Sequence, residues 1–144
     1  RCVALRCSAL DAPERSLPER SILIGRSEAG AIEAIEFCAF DDPKALLSEL
    51  LRWYRAALNG PLPLFPQASL EYAAKLQEGR PHDAALASAR AKFTSSSKFR
   101  GDDGDPYIAQ LFPDFDRVVA SQLDQFVAAA QSVYLPLFRH RRER

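Results

Sequence analysis

At 144 residues the chain has room for one domain with a genuine core. Nineteen basic and nineteen acidic residues cancel, so no global field gathers polyanions; contact with nucleic acid would need a local patch or partner chains. Apolar residues at 47% and charged residues at 26% are ordinary for a soluble globular protein, and no run of about eighteen apolar residues offers a membrane span.

The start, Arg1-Cys2-Val3-Ala4-Leu5, lacks the basic-then-apolar layout of a signal peptide. The chain has no methionine and opens on what reads as mid-strand, the expectation for a piece of a longer polypeptide. Residues 1–40 read as strand-rich. Val3, Leu5 and Cys7 share one face of the first candidate strand, and Asp11 to Pro18 is a loop. Ser21-Ile22-Leu23-Ile24-Gly25 is a short apolar β-branched run. Ser27-Glu28-Ala29-Gly30 suits a hairpin turn into Ala31 to Phe40. The alanine and glutamate content of that last segment also fits a helix; a strand is favoured. Cys2, Cys7 and Cys38 make no even disulfide framework and read as small buried hydrophobes in a reducing compartment, the cytoplasm.

From Asp41 the pattern turns helical and stays so through residues 41–138. Asp42-Pro43 is a start signal, a capping carboxylate followed by a residue that needs no donor in the first turn. Leu46, Leu47, Leu50, Tyr54, Ala57 and Leu58 follow as an apolar stripe, and Asn59-Gly60 ends the helix. Pro61-Leu62-Pro63-Leu64-Phe65-Pro66 cannot be helix interior. It predicts an extended segment whose apolar residues dock into the domain while the prolines cap two helices. Trp53, Tyr54, Leu62, Leu64 and Phe65 are accordingly candidates for a packing or partner seam.

Ala68 to Gln77 predicts a second helix, stopped by Gly79 and Pro81, and Asp83 to Phe93 a third. Thr94 to Gly104 is Ser-rich and charged, a mobile loop by composition, and Asp105-Pro106 caps a short turn over Tyr107 to Phe112. Asp114 to Tyr134 predicts the longest helix, with Phe115, Val118, Val119, Gln122, Phe126, Ala130 and Val133 along one stripe and Pro136 interrupting it. The tail over 139–144 sets Arg139, Arg141, Arg142 and Arg144 against Glu143, a local charge of about +3.

Several of these features occur in an order that resembles the C-terminal domain of RecC, the gamma subunit of exodeoxyribonuclease V, the RecBCD helicase-nuclease. They are the Leu-rich helix ending in Trp53-Tyr54-Arg55, the block Pro61 to Pro66, Tyr72-Ala73, Ala89-Arg90-Ala91-Lys92-Phe93, Gly101-Asp102 leading to Tyr107, Leu111-Phe112-Pro113, and Tyr134-Leu135-Pro136-Leu137-Phe138. The resemblance is good over 41–138 and weaker over the first forty residues. It implies an α+β domain with a small strand-rich N-terminal part and a helical C-terminal half, resembling a degenerate PD-(D/E)xK nuclease that has lost its active site. It further implies RecB-like and RecD-like partner subunits, DNA contacted through the whole complex, and a place in double-strand break repair by homologous recombination.

The residues agree with a lost active site. A working site of that type needs an Asp and a nearby Glu-x-Lys so that carboxylates hold a divalent cation and lysine steadies developing charge. The chain contains no Glu-x-Lys. Asp42-Pro43-Lys44 is accounted for by helix capping, and Glu33 and Glu36 read as a solvated strand face. Asp102-Asp103-Gly104-Asp105 lacks the twelfth-position Glu of a calcium loop, and His82 and His140 have no cysteine neighbours at zinc spacing. No catalytic residue, metal or cofactor is therefore expected. Lys98, Arg100, Arg139, Arg141 and Arg142 are the candidates for DNA-backbone contact, against a frayed, solvated end as the plainer reading of the tail. Two other classes remain open at this level: a metal-dependent nuclease whose lysine has migrated to Lys44, Lys75 or Lys92, and an autonomous single-strand binder.

Overall fold

The computed structural model describes residues 20–26 and 30–142; the strand expected at Arg1 to Cys7, the loop at Asp11 to Pro18 and turn residues 27–29 lie outside them. The architecture is α+β, an antiparallel sheet followed by helices, as the sequence predicts. Contacts cluster into two compact units, one of residues up to Arg52 together with those from Arg139 onward, the other Trp53–Phe138.

The first unit is built on the sheet. β1 (Arg20–Arg26) pairs antiparallel with β2 (Ile32–Cys38), from Arg20 opposite Cys38 to Arg26 opposite Ile32. The ambiguous segment after Gly30 is thus a strand. β-Branched and aromatic residues at alternating positions outweigh its alanines once a partner strand supplies the hydrogen bonds. Gly30, at φ +82°, takes the left-handed conformation that a hairpin end requires. The described part of the tail departs from the frayed-tail reading, since Arg139 and His140 close the last helix and Arg141–Arg142 form β3 against Glu36 and Phe37. Ring contact between Phe40 and His140, with centroids 4.6 Å apart, ties the same two stretches of chain together. Cys38 is a half-buried free thiol.

α1 (Pro43–Asn59) starts where Asp42 predicts, its carboxylate accepting the Ala45 N–H at 2.9 Å. Its shielded face follows the expected stripe over the first turns and departs from it afterwards. Leu46, Leu47 and Leu50 are half-buried and Trp53 is buried, whereas Tyr54 is 61% exposed and Ala57 and Leu58 are exposed as well. Past Leu50 both Trp53 and the 54–58 pair continue the stripe at helical spacing, and periodicity alone does not rank them.

The second unit is organised around Phe65. This ring is fully buried and meets Phe93 and Phe112 edge-on, at centroid distances of 5.0 and 5.1 Å, and Phe126 at 6.1 Å. Around it lie Ala68 and Tyr72 of α2 (Ala68–Gln77), Ala85 and Ala89 of α3 (His82–Phe93), and Phe115, Val118 and Ala130 of α5 (Phe115–His140). Alanines on α2 and α3 let those helices approach closely, and the aromatic rings fill the remaining space. α4 (Pro106–Leu111) is the short capped turn foreseen at Asp105, which accepts the Tyr107 N–H at 2.8 Å.

α5 carries a second correction. The helix runs on through Pro136 to His140, and its backbone departs from helical geometry at Gln122 instead, at φ −138° and ψ +25°. A proline removes one amide donor and crowds the carbonyl four residues before it, yet the helical turns before it stay in place, with Phe126, Ala129 and Ala130 buried.

Candidate functional surfaces

Two parts of the molecule hold the residues singled out by sequence, the proline block with its clamped loop and the sheet with its arginines.

Within the proline block, Pro63 and Phe65 are fully buried and Leu62 and Leu64 half-buried, so the segment docks as predicted. The Leu64 N–H donates to the Leu62 carbonyl at 2.8 Å, a tight three-residue turn. Ser69 fixes the entry to α2, its Oγ accepting the Phe65 N–H at 2.9 Å. The prolines do not cap α2. Asp102, only 3% exposed, does so from 34 positions along the chain: Oδ2 accepts the Ala68 N–H at 2.7 Å, and the Gln67 N–H lies 3.1 Å from Oδ1. A carboxylate at a helix N-terminus meets both unpaired amides and the positive end of the helix dipole. Burial pushes the Asp102 carboxyl above its ordinary range, the amide hydrogen bonds pull it down, and neighbouring Asp103 adds to the rise. In the sequence Asp102 reads as one residue of a polar loop. No local spacing announces a cap that closes between distant segments.

The loop after α3, expected to be mobile, is densely bonded. Asp103 Oδ1 accepts the Ser95 N–H at 2.8 Å and also the Ser95 hydroxyl, and Ser95 Oγ accepts the Gly101 N–H at 2.9 Å. Gly101 is required by close approach, since a Cβ there would stand 2.3 Å from the Phe93 carbonyl oxygen. Arg100 donates through Nε to the Gly104 carbonyl at 3.1 Å, and its Nη2 donates to the same oxygen. Lys98 is exposed, and only its backbone N–H is engaged, weakly, by Ser96 Oγ at 3.4 Å. Of the two cations proposed for phosphate in this loop, Arg100 is therefore committed to loop structure and Lys98 faces solvent.

Behind α2, the Tyr72 hydroxyl and His82 Nδ1 are 2.8 Å apart, and burial raises the phenol above its usual range against the opposing effect of a Gln131 hydrogen bond. His82 thus serves helix packing.

On the sheet, cross-strand partners point to the same side. One face therefore carries Arg20, Ile22, Ile24 and Arg26 of β1, Ile32, Ala34 and Glu36 of β2, and Arg142 of β3. The other carries Ser21, Leu23, Glu33, Ile35, Phe37 and Arg141. Glu36 was read as a solvated residue and is instead 8% exposed, its Oε1 lying 3.7 Å from Arg20 Nη1. A shielded carboxylate persists only with a cationic or hydrogen-bonding partner. Glu33 and Glu36, three residues apart, fall on opposite faces of the strand and so do not face a common cation. Among the described residues no group of three or more His, Cys, Asp or Glu is arranged to hold a metal ion.

The arginines of the tail are thus separated, Arg139 on the end of α5 and Arg141 and Arg142 on opposite faces of a strand. Within the seam set, Trp53 is buried and Phe65 belongs to the helical core, whereas Tyr54 is exposed. The sheet exposes far more apolar surface than a closed unit would, with Ile22 52%, Leu23 58%, Ile24 70% and Ile32 79% accessible.

A family model for the RecC C-terminal domain matches residues 4–77, half of the chain, a stretch that takes in β1, β2, α1 and α2. The chain belongs to the RecC C-terminal domain family. The matched stretch takes in residues 4–40, where the resemblance by motif is weaker, together with Trp53-Tyr54-Arg55 and the proline block; the RecC-like features from Ala89 to Phe138 lie beyond it. No curated protein matches the chain. No solved structure matches it either. Among the described residues no helix is long and apolar enough to cross a membrane.

Proposed function

We propose that this chain is a non-catalytic scaffold domain of a RecC subunit, acting in the cytoplasm within a RecBCD-type helicase-nuclease during double-strand break repair and homologous recombination. The match of residues 4–77 to the RecC C-terminal domain carries the reading. It associates the chain with RecBCD and, through that complex, with RecB-like and RecD-like subunits. The domain would act by shape, holding partners and lining a strand path while the nuclease and helicase steps are performed elsewhere. Two observations favour this role over chemistry. Glu33 and Glu36, the carboxylates on the strand where metal ligands would be expected, point to opposite faces of β2. The exposed isoleucines of the sheet have the character of an interface rather than of a solvated surface.

DNA is reached through the whole complex, with Lys98 and the separated Arg139, Arg141 and Arg142 as the available cations. The isolated chain should self-associate weakly through its apolar surface, and more strongly as salt screens its arginines.

The test is co-purification of the 144-residue chain with RecB-type and RecD-type subunits of the same cell, alongside incubation with linear DNA and magnesium or manganese. A stable assembly and no cutting by the chain alone are expected. Cutting that disappears in Glu33→Ala or Glu36→Ala would replace the scaffold with a metal-dependent nuclease. Tight binding of single strands by the chain alone would replace it with an autonomous binder.

A further inference from the structure

We propose that the face of the β1–β2 hairpin bearing Ile22, Ile24, Ile32 and Ala34 docks an acidic amphipathic segment of a partner protein, its apolar side chains on the isoleucines and its carboxylates on Arg26 and Arg142. The inference rests on the scaffold reading and deepens it by assigning the surface and the chemistry of what covers it.

The cross-strand register places these residues together: Ile24 lies opposite Ala34, Arg26 opposite Ile32, and Glu36 between Ile22 and Arg142. The three isoleucines are 52%, 70% and 79% exposed. A half-exposed β-branched residue is common on a sheet, but a contiguous group of three on one hairpin face is an interaction surface. Its rim is cationic. Among the described residues of the sheet, Arg20, Arg26 and Arg142 stand on this face with one carboxylate, Glu36, which already lies beside Arg20. Apolar centre and arginine rim together match the composition of protein interfaces.

Charge complementarity selects among occupants. A second copy of the chain would bring arginines against arginines, which opposes close docking. Single-stranded nucleic acid would use the arginines but gain nothing from isoleucine, which has no π-face on which a base can stack. A polypeptide with an apolar stripe edged by Asp and Glu satisfies both parts of the surface.

The experiment uses the full chain as wild type, Ile24→Asp, Ile32→Asp and Arg26→Glu. Each is measured for binding to RecB-type and RecD-type subunits and to a synthetic helical peptide with leucine on one face and glutamate on the other. Because these side chains are exposed, the variants should melt with the wild type, and circular dichroism confirms that each is folded. Each isoleucine substitution should weaken binding to partner and peptide about tenfold or more, the worth of one buried aliphatic side chain. Arg26→Glu should weaken it about fivefold and flatten its salt dependence.

If the wild type assembles with the subunits and the variants assemble equally well, the docking face is overturned while the scaffold reading stands. If the wild type ignores the subunits yet binds the peptide through Ile24 and Ile32, the scaffold reading falls and the docking chemistry survives. Binding to neither overturns both. A single-stranded oligonucleotide that displaces the peptide, or a wild-type dimer that is tighter than the peptide complex and is abolished by Ile24→Asp, would assign the face to nucleic acid or to a second copy and overturn the proposal; weak self-association that the peptide displaces supports it.

Discussion

The helical unit and the sheet unit spend similar side chains in opposite ways. In the former, Phe65, Phe93, Phe112, Phe115 and Phe126 are all shielded around one centre, and even the loop after α3 is folded back through Asp102 and Ser95. In the latter, Ile22, Leu23, Ile24 and Ile32 stand largely in solvent. A helical hairpin of small residues can close on a few aromatic rings because its faces curve around them. A sheet buries an apolar face only against a second layer. Among the described residues, the helical unit encloses its large apolar side chains and the sheet leaves four of its own largely in solvent.

Substitutions can break that contrast, beginning in the core. Phe65→Ala should cost about 3–5 kcal/mol and lower the denaturant midpoint of the helical unit, since it removes the ring on which three others pack. A loss under about 1 kcal/mol would show that the unit is held elsewhere. Asp102→Ala should cost about 2 kcal/mol, because the Gln67 and Ala68 amides lose a charged acceptor. Gly101→Ala should cost a comparable amount, about 1–3 kcal/mol, by forcing a methyl against the Phe93 carbonyl. Hydrogen exchange should place both losses at the start of α2 and in the loop after α3.

Titration sharpens the same site. Burial holds the folded Asp102 carboxyl above the ordinary aspartate value of 3.8, so the folded state binds this proton more tightly than the unfolded chain. Its contribution is full below that value and is lost as pH rises through the folded pKa. The stability difference between wild type and Asp102→Asn should therefore move against the wild type over that rise and then level off. Urea melts across acid to neutral pH measure it, and a difference that grows with pH would refute the assignment. At the sheet the smallest effect is expected. Ile24→Asp and Ile32→Asp should change stability by no more than about 0.5 kcal/mol, as for exposed sites. A large destabilisation would mean that the isoleucines belong to the unit's own core.

Much of this was legible beforehand because it depends on neighbours in sequence. Asp42-Pro43 and Asp105-Pro106 start helices through amides two or three residues away, and Pro63 and Phe65 could not remain in water. Where equal local patterns compete, the sequence does not rank them. Past Leu50 of α1 two continuations of the stripe compete, so Tyr54 reads as core-facing and lies outside the core. Glu36 looks solvated until the strand pairing sets Arg20 and Arg142 on the same face. Pro136 looks like a stop, yet α5 continues through it.

The sequence by itself determined the α+β order of elements, the helix starts, the docking of the proline block and the family. The tertiary structure decided which apolar stripe is buried, that Asp102 caps α2 from a distant loop, and that Arg141 and Arg142 form a strand. Capping and turn chemistry act over three or four residues and are written locally. Burial, strand register and the pairing of a shielded charge depend on which distant segments meet, and no local spacing encodes that.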